Sequence, residues 1–226
     1  RLSVRRVRNI LKSPHLPSAT HKTSSCRAAV AESLTFGTCI QQRVRILDVV
    51  STTLKGHSTS VTSFTTFPLL DWKLASGSYD TNIKLWDLRT KDNTTTLKGH
   101  QKQVTSMDVS PDSKMLLSGS EDGTAKIWDL RYPEKIIFSY TDHTGPLNVV
   151  KFHPEDVTFA TGSSDKTAKY FRCETGFYNC IGSTQPGTTP ITAIEFSEDG
   201  RIFYTAANDS LKLWNMGKRG LLLDSI

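Results

Sequence analysis

The stretch LKGHQKQVTSMDVSPDSKMLLSGSEDGTAKIWDL, residues 97–130, decides the fold, because its landmarks return along the chain. His100 near its start has counterparts at His57 and His143, 43 residues away on either side, in LKGHSTSVTSF and TDHTGPLNVVKF. Trp128 near its end has counterparts at Trp86, Phe171 and Trp214, at intervals of 42, 43 and 43, in SYDTNIKLWDL, SSDKTAKYFRC and ANDSLKLWNM. A fixed period of this size marks a repeated supersecondary unit that buries its apolar faces against its neighbours.

Within the unit, Val104, Ser106 and Asp108 alternate with Thr105, Met107 and Val109, which predicts a two-faced strand. PDSK then turns the chain into MLLSGS, and EDG turns it into TAKIWDL. Pro68, Pro111 and Pro154 fall in or beside the first turn of successive units. A run such as TTTLKGH supplies a fourth strand before the next Gly-His. Four short strands in about 43 residues match one blade of a β-propeller.

The joint recurrence of Gly-His and Trp-Asp, at 56–87 and again at 99–129, resembles the WD-repeat family. The expected fold is therefore all-β: a partial WD-repeat β-propeller with four clear four-stranded blades and a fifth, degenerate candidate. The blades are expected over residues 51–216, preceded by a basic, disordered tail at 1–20 and a possible degenerate blade at 21–50, and followed by a strand or tail at 217–226. The degenerate blade rests on VRILDVVSTTLKGH, which aligns Leu47 and Asp48 with Trp-Asp, and on His21 as an opening histidine.

Several stretches are similar to the WD-repeat regulatory subunits of katanin, the microtubule-severing complex: SGSYDTNIKLWDLR, DHTGPLNVVKFHP, GSSDKTAKYF and the shortened AANDSLKLW. This resemblance implies a propeller that targets the complex to microtubules, centrosomes and spindle poles in the cytoplasm, while a separate ATPase subunit does the catalysis. In that family a C-terminal helical region binds the ATPase, and no part of this sequence resembles it. The expected partners are thus other proteins: the katanin ATPase complex and microtubule or spindle-pole proteins. A WD adaptor of another assembly, such as a ubiquitin ligase or an RNA-processing complex, is the alternative. Fewer blades than the family propeller would leave strand edges open, so the chain by itself is expected to be unstable or to aggregate.

His57, Ser76 and Asp80 have the composition of a hydrolase triad. The same trio recurs at His100, Ser118 and Asp122, and at His143, Thr161 and Asp165, whereas an enzyme needs one such site. With Trp86 and Trp128 six residues after the aspartate, the family resemblance implies a network inside each blade that satisfies buried polar groups. The fourth unit keeps Thr205, Asp209 and Trp214 but has Gly187 in the histidine place and one residue fewer between Asp209 and Trp214. Phe171 removes the indole donor from the third, so these two blades are expected to be less tightly networked.

By offset from the same landmarks, the family resemblance places a docking rim at Ser60, Thr62 and Tyr79; Gln103, Thr105 and Glu121; Pro146, Asn148 and Ser164; and Pro190, Thr192 and Asn208. Tyr79 is the preferred anchor, because an exposed aromatic offers much contact area at small entropic cost. An ordinary polar rim is the competing reading.

The net charge of +6 suggests nucleic acid until it is located. Residues 1–50 hold nine Lys or Arg against Glu32 and Asp48, and the remainder is almost neutral. Without a clustered basic face, a phosphate backbone is not an expected partner. The basic opening also has the composition of a mitochondrial transit peptide, beside the simpler readings of a disordered arm or a mistranslated upstream exon. Cys26, Cys39, Cys173 and Cys180 read as free thiols, with a Cys173–Cys180 bridge as the minor alternative. No apolar run approaches bilayer-spanning length, so no membrane is expected. Phosphate-loop, dinucleotide and metal motifs are missing, so no cofactor or metal is expected, and His153 beside Pro154 reads as structural.

Overall fold

The computed structural model describes residues 33–37, 50–132, 135–156, 158–174, 177–216 and 221–225. The basic tail, His21, Leu47 and Asp48 lie outside them. Strands β1 (Ser33–Gly37) and β2 (Val50–Lys55) form a two-stranded antiparallel pair. Four antiparallel meanders follow. Blade one comprises β3 (Val61–Phe67), β4 (Leu70–Ser78), β5 (Ile83–Asp87) and β6 (Asp92–Leu97). Blade two comprises β7 (Val104–Val109), β8 (Met115–Ser120), β9 (Ala125–Asp129) and β10 (Ile136–Tyr140). Blade three comprises β11 (Leu147–Phe152), β12 (Thr158–Ser163), β13 (Ala168–Glu174) and β14 (Phe177–Ser183). Blade four comprises β15 (Ile191–Phe196), β16 (Ile202–Ala207), β17 (Leu211–Asn215) and β18 (Leu221–Ser225).

The core lies between blades. Ala75, Ile83 and Leu85 of blade one close on Val104, Met107, Val109 and Trp128 of blade two. Comparable clusters join blade two to three around Ile127, Phe159 and Phe171, and three to four around Tyr170, Phe203 and Trp214. Leu54 of β2 packs with Val61, Leu74 and Trp86, so β2 covers the free side of blade one. Glycines set how closely the blades approach. A Cβ on Gly77, Gly119 or Gly162 would stand 2.6–2.7 Å from Val104, Val150 or Ile191 of the next blade. A Cβ on Gly99, the glycine of Gly-His, would meet Trp128 at 3.0 Å and Ile136 at 2.8 Å. The motif glycine therefore makes room for the motif tryptophan.

Simple alternation along the inner strand needs correction. Alternation puts Val104 on the face opposite Met107 and Val109, yet all three enter one core cluster. The cause is a bulge: pairing of β7 with β8 shifts register between Val104 and Ser106, leaving Thr105 out of the ladder and changing the faces that follow. The same shift recurs at Val61/Ser63, Leu147/Val149 and Ile191/Ala193.

The inner strands β3, β7, β11 and β15 pack in series, each against the next. Among the described residues no comparable contact joins β15 to β3, so the four blades form an open arc. Blade four shows the effect. Leu211 is 39% exposed, whereas its counterparts Ile83, Ala125 and Ala168 are at most 2% exposed. Cys180 is a free thiol, so the Cys173–Cys180 bridge does not form. His153 is structural: it accepts at Nδ1 from the Glu155 and Asp156 amides and donates from Nε2 to Gly200 O at 2.9 Å, tying blade three to four.

Candidate protein-docking site and the network beneath it

In blade one, His57 sits between Ser76 and Asp80, with Nε2 2.8 Å from Ser76 Oγ and Nδ1 2.8 Å from Asp80 Oδ2. Trp86 Nε1 donates to the same Ser76 Oγ at 2.7 Å. Blade two repeats the chain through His100, with 2.8 Å to Ser118 and 3.1 Å to Asp122, and Trp128 donates to Ser118 at 2.9 Å. The ends set the direction of donation: an indole N–H can only donate and an ionised carboxylate can only accept. Protons therefore point from indole to hydroxyl, from hydroxyl to Nε2, and from Nδ1–H to carboxylate.

Blade three keeps His143 at 2.8 Å from Thr161 and 2.7 Å from Asp165. Phe171 donates nothing and instead stacks on Phe159, 5.0 Å between ring centroids. In blade four Trp214 still donates to Thr205 at 2.8 Å, but no imidazole links Thr205 to Asp209. Asp209 is held instead by the hydroxyls of Thr188 and Thr189.

The carboxylates are kept ionised. Burial alone would raise the Asp80 carboxyl, but hydrogen bonds from His57 and from the Asn82 and Ser58 amides outweigh it and lower it. Asp122 is lowered likewise, against burial, by His100, Thr124 and the Gln101 amide. Asp165 is lowered, against burial, by Thr167 and His143. Burial pushes His143 below its ordinary value, and the attraction of Asp165 only partly offsets this. At the other end of the strand, the Arg89 guanidinium grips Asp87 through two hydrogen bonds and holds its carboxyl at about 2. Arg131 and Asp129 repeat this pair.

The trio has the connectivity of a nucleophilic triad but lacks its access. Ser76, Ser118 and Thr161 are each 0% exposed, and in two of the three blades a tryptophan N–H already occupies the hydroxyl oxygen. What the network does is anchor loops. Asp80 accepts from the Ser58 amide in one loop and the Asn82 amide in the other, and Asp122 and Asp165 do the same in their blades.

Above these anchors lie the rim residues. The Tyr79 amide donates to Ser60 O at 3.1 Å, Glu121 to Gln103 O at 3.0 Å, and Ser164 to Pro146 O at 2.8 Å. Three blades thus present the same bonded pair of loops. Tyr79 is 57% exposed. Asn208 and Thr192 are exposed, and Pro190 is half-buried. The Gln103 Oε1 is buried without a hydrogen-bond partner among the described residues.

Thr62, Thr105 and Asn148 act elsewhere. They occupy the bulges and reach across to the next blade: Thr62 donates to Val104 O, Thr105 to Leu147 O at 2.7 Å, and Asn148 Nδ2 to Ile191 O at 2.8 Å. Thr192, with no following blade among the described residues, donates to Ala206 O of its own blade. This inter-blade role was missed because alternation alone carries no sign of a bulge.

The family described as "WD domain, G-beta repeat" matches residues 49–87, 91–129, 134–172 and 178–215. The chain belongs to the WD-repeat family. Among curated proteins it is 32% identical over 178 residues to "Guanine nucleotide-binding protein subunit beta" of Oryza sativa subsp. japonica, covering 74% of this chain and 47% of that protein. It is 32% identical over 187 residues to the protein of the same name in Arabidopsis thaliana, covering 77% and 49%. It is also 32% identical over 106 residues to "Pre-mRNA-processing factor 19" of Oryza sativa subsp. japonica, covering 46% and 20%. The chain spans about half the length of the G-protein beta subunits it matches. These relatives share the repeat, and neither name is that of a katanin subunit.

Proposed function

We propose that this WD-repeat chain is a non-catalytic scaffold that docks other proteins on the loop rim of its blades. The observation that carries this reading is the set of three equivalent backbone bonds, Tyr79 to Ser60, Glu121 to Gln103 and Ser164 to Pro146, each beside a network aspartate. Loops fixed before binding lose little freedom on binding, so a flat, rigid rim is suited to a protein partner. Its contacts are distributed, with Tyr79 as the aromatic anchor.

In its finer form the proposal is a targeting or regulatory subunit of a katanin-like microtubule-severing complex, acting in the cytoplasm at microtubules, centrosomes and spindle poles. Its support is the likeness of SGSYDTNIKLWDLR, DHTGPLNVVKFHP and GSSDKTAKYF, which includes Tyr79, Pro146 and Ser164 of the rim. The second reading, an adaptor of an RNA-processing or ubiquitin-ligase assembly, draws on the match to the protein named as a pre-mRNA-processing factor.

Affinity capture of the tagged chain from cells, with and without Tyr79→Ala and Glu121→Lys, tests both levels. Katanin's ATPase or spindle-pole proteins retained by the parent and lost from the double variant support the finer proposal. Splicing or ubiquitin-ligase components behaving in that way replace it. Capture unaffected by the double variant overturns the rim as the docking face.

A further inference from the structure

The turn between β11 and β12 carries an imidazole where the matching turns of blades two and four carry a hydroxyl. Ser110, His153 and Ser197 share one position, because each donates its amide to the carbonyl five residues on: to Met115, Thr158 and Ile202, all at 2.9 Å. Each serine closes its own turn, accepting from the amide of that same residue and donating to the aspartate two residues on. His153 instead accepts at Nδ1 from the amides of Glu155 at 3.1 Å and Asp156 at 3.0 Å, while Nε2 crosses to Gly200 O of blade four at 2.9 Å. Gly200, at φ +64°, makes room for the ring, since a Cβ there would overlap Nε2. The ring stands edge-on to Phe196 of blade four, 5.3 Å between centroids.

These bonds fix the protonation state. A ring nitrogen that accepts from two amides carries no hydrogen, and one that faces a carbonyl oxygen must carry one, so the ring is neutral with its hydrogen on Nε2. A proton added at Nδ1 would point at two N–H groups. Because the ring is rigid, turning Nδ1 away from them also carries Nε2 off Gly200 O. Carboxylates surround this place. Its own turn brings Glu155 and Asp156, the latter paired with Arg172 of β13 at 3.5 Å. The blade-four turn brings Glu198, with Asp199 paired to Arg201 at 3.7 Å. Along the inner strands Lys151 lies between Asp108 of blade two at 3.9 Å and Glu195 of blade four at 3.4 Å. Among the described residues Glu155 and Glu198 have no ion-pair partner, so an imidazolium finds carboxylates where the neutral ring finds amides.

We infer that His153 is a pH-sensitive latch: neutral, it clips the turn of blade three to the turn of blade four, and protonated, it lets the two turns part. The element it biases has two bonded arrangements, one on amides and one on carboxylates, which is what a proton can switch. The change is local. Asn148 on Ile191 O and the apolar cluster around Tyr170 and Phe203 hold the same two blades together without His153. The latch sits at the end of the blades opposite the docking rim and is independent of what binds there.

The test uses the full chain, dilute and labelled with nitrogen-15 and carbon-13, followed by nuclear magnetic resonance from pH 8 to pH 5. The His153 ring, the Glu155 and Asp156 amides and the Gly200 carbonyl carbon are expected to shift together through one midpoint. Protection of the two amides from solvent exchange, corrected for the intrinsic rate, should fall about tenfold, the scale of one hydrogen bond. The indole signals of Trp86 and Trp128 should stay in place. His153→Ser installs the residue of blades two and four, which closes its turn without a titrating group, and should remove the midpoint while the chain stays folded. A ring that titrates while the amides or the Gly200 carbonyl hold still overturns the latch. So does a ring that remains neutral down to pH 5, or an amide response that survives in His153→Ser.

Discussion

Ser118 shows how much one hydroxyl holds. It accepts from Trp128, lies 2.8 Å from His100 Nε2 and is sealed from water. Ser118→Ala leaves an indole N–H and an imidazole nitrogen buried without partners, which costs about 1–3 kcal/mol for each unmet group. Urea denaturation should show a loss of about 2–6 kcal/mol, the two groups together, without a change in far-ultraviolet dichroism. His143 carries a pH dependence. Its folded pKa lies below the ordinary value, so the unfolded chain takes up the proton first, and stability falls as the pH drops below about 6.5. Asp80, Asp122 and Asp165 are lowered too, so their contributions are complete above the ordinary carboxylate pKa and fade below it. Melting temperatures from pH 8 to 5 should decline for the parent and flatten for His143→Gln, with the steep acid loss below pH 4 retained in both.

At the scale of the element, each inner strand is a strand, a bulge and a bridge to its neighbour. Thr105→Val keeps the shape but removes the hydroxyl that reaches Leu147 O, and should cost about 0.5–1.5 kcal/mol. Gly119→Ala forces a Cβ to 2.7 Å from Val150 and should cost about 1–3 kcal/mol through overpacking. Both are read from chemical denaturation, and the effect should appear at the boundary of blades two and three as faster amide exchange in β11. The four-stranded blades were legible in the sequence because Gly-His, Trp-Asp and the turn residues are local signals repeated in register. The bulge was not, since a register shift depends on pairing between two strands; offset from the landmarks puts Thr62, Thr105 and Asn148 on the rim, while the structure sends the two hydroxyls and the Asn148 amide nitrogen into inter-blade joints and leaves the Asn148 Oδ1 to accept from Ser164. The missing histidine at Gly187 was legible, but the approach of the Lys212 ammonium to within 3.8 Å of where a Cβ on Gly187 would stand was not, because only packing shows where a flexible side chain goes.

Over the whole molecule, the blades are held by two systems that run in different directions: polar chains inside each blade and apolar clusters between blades. Among the described residues the second system is incomplete at blade four, where Leu211 and Ala193 are exposed and no further blade packs on them. The isolated chain should therefore self-associate with rising concentration in sedimentation experiments, and Leu211→Lys should suppress this without lowering the melting temperature. The central claim concerns the first system: the regularly spaced imidazole, hydroxyl, carboxylate and indole groups fasten the blades and do no chemistry. Hydrogen exchange of the indole N–H protons tests it most directly, with half-exposed Trp72 as the internal standard. The account predicts that Trp86 and Trp128 exchange only through unfolding of their blades, and that Ser118→Ala speeds Trp128 alone. Exchange of Trp86 and Trp128 as fast as that of Trp72 would contradict it.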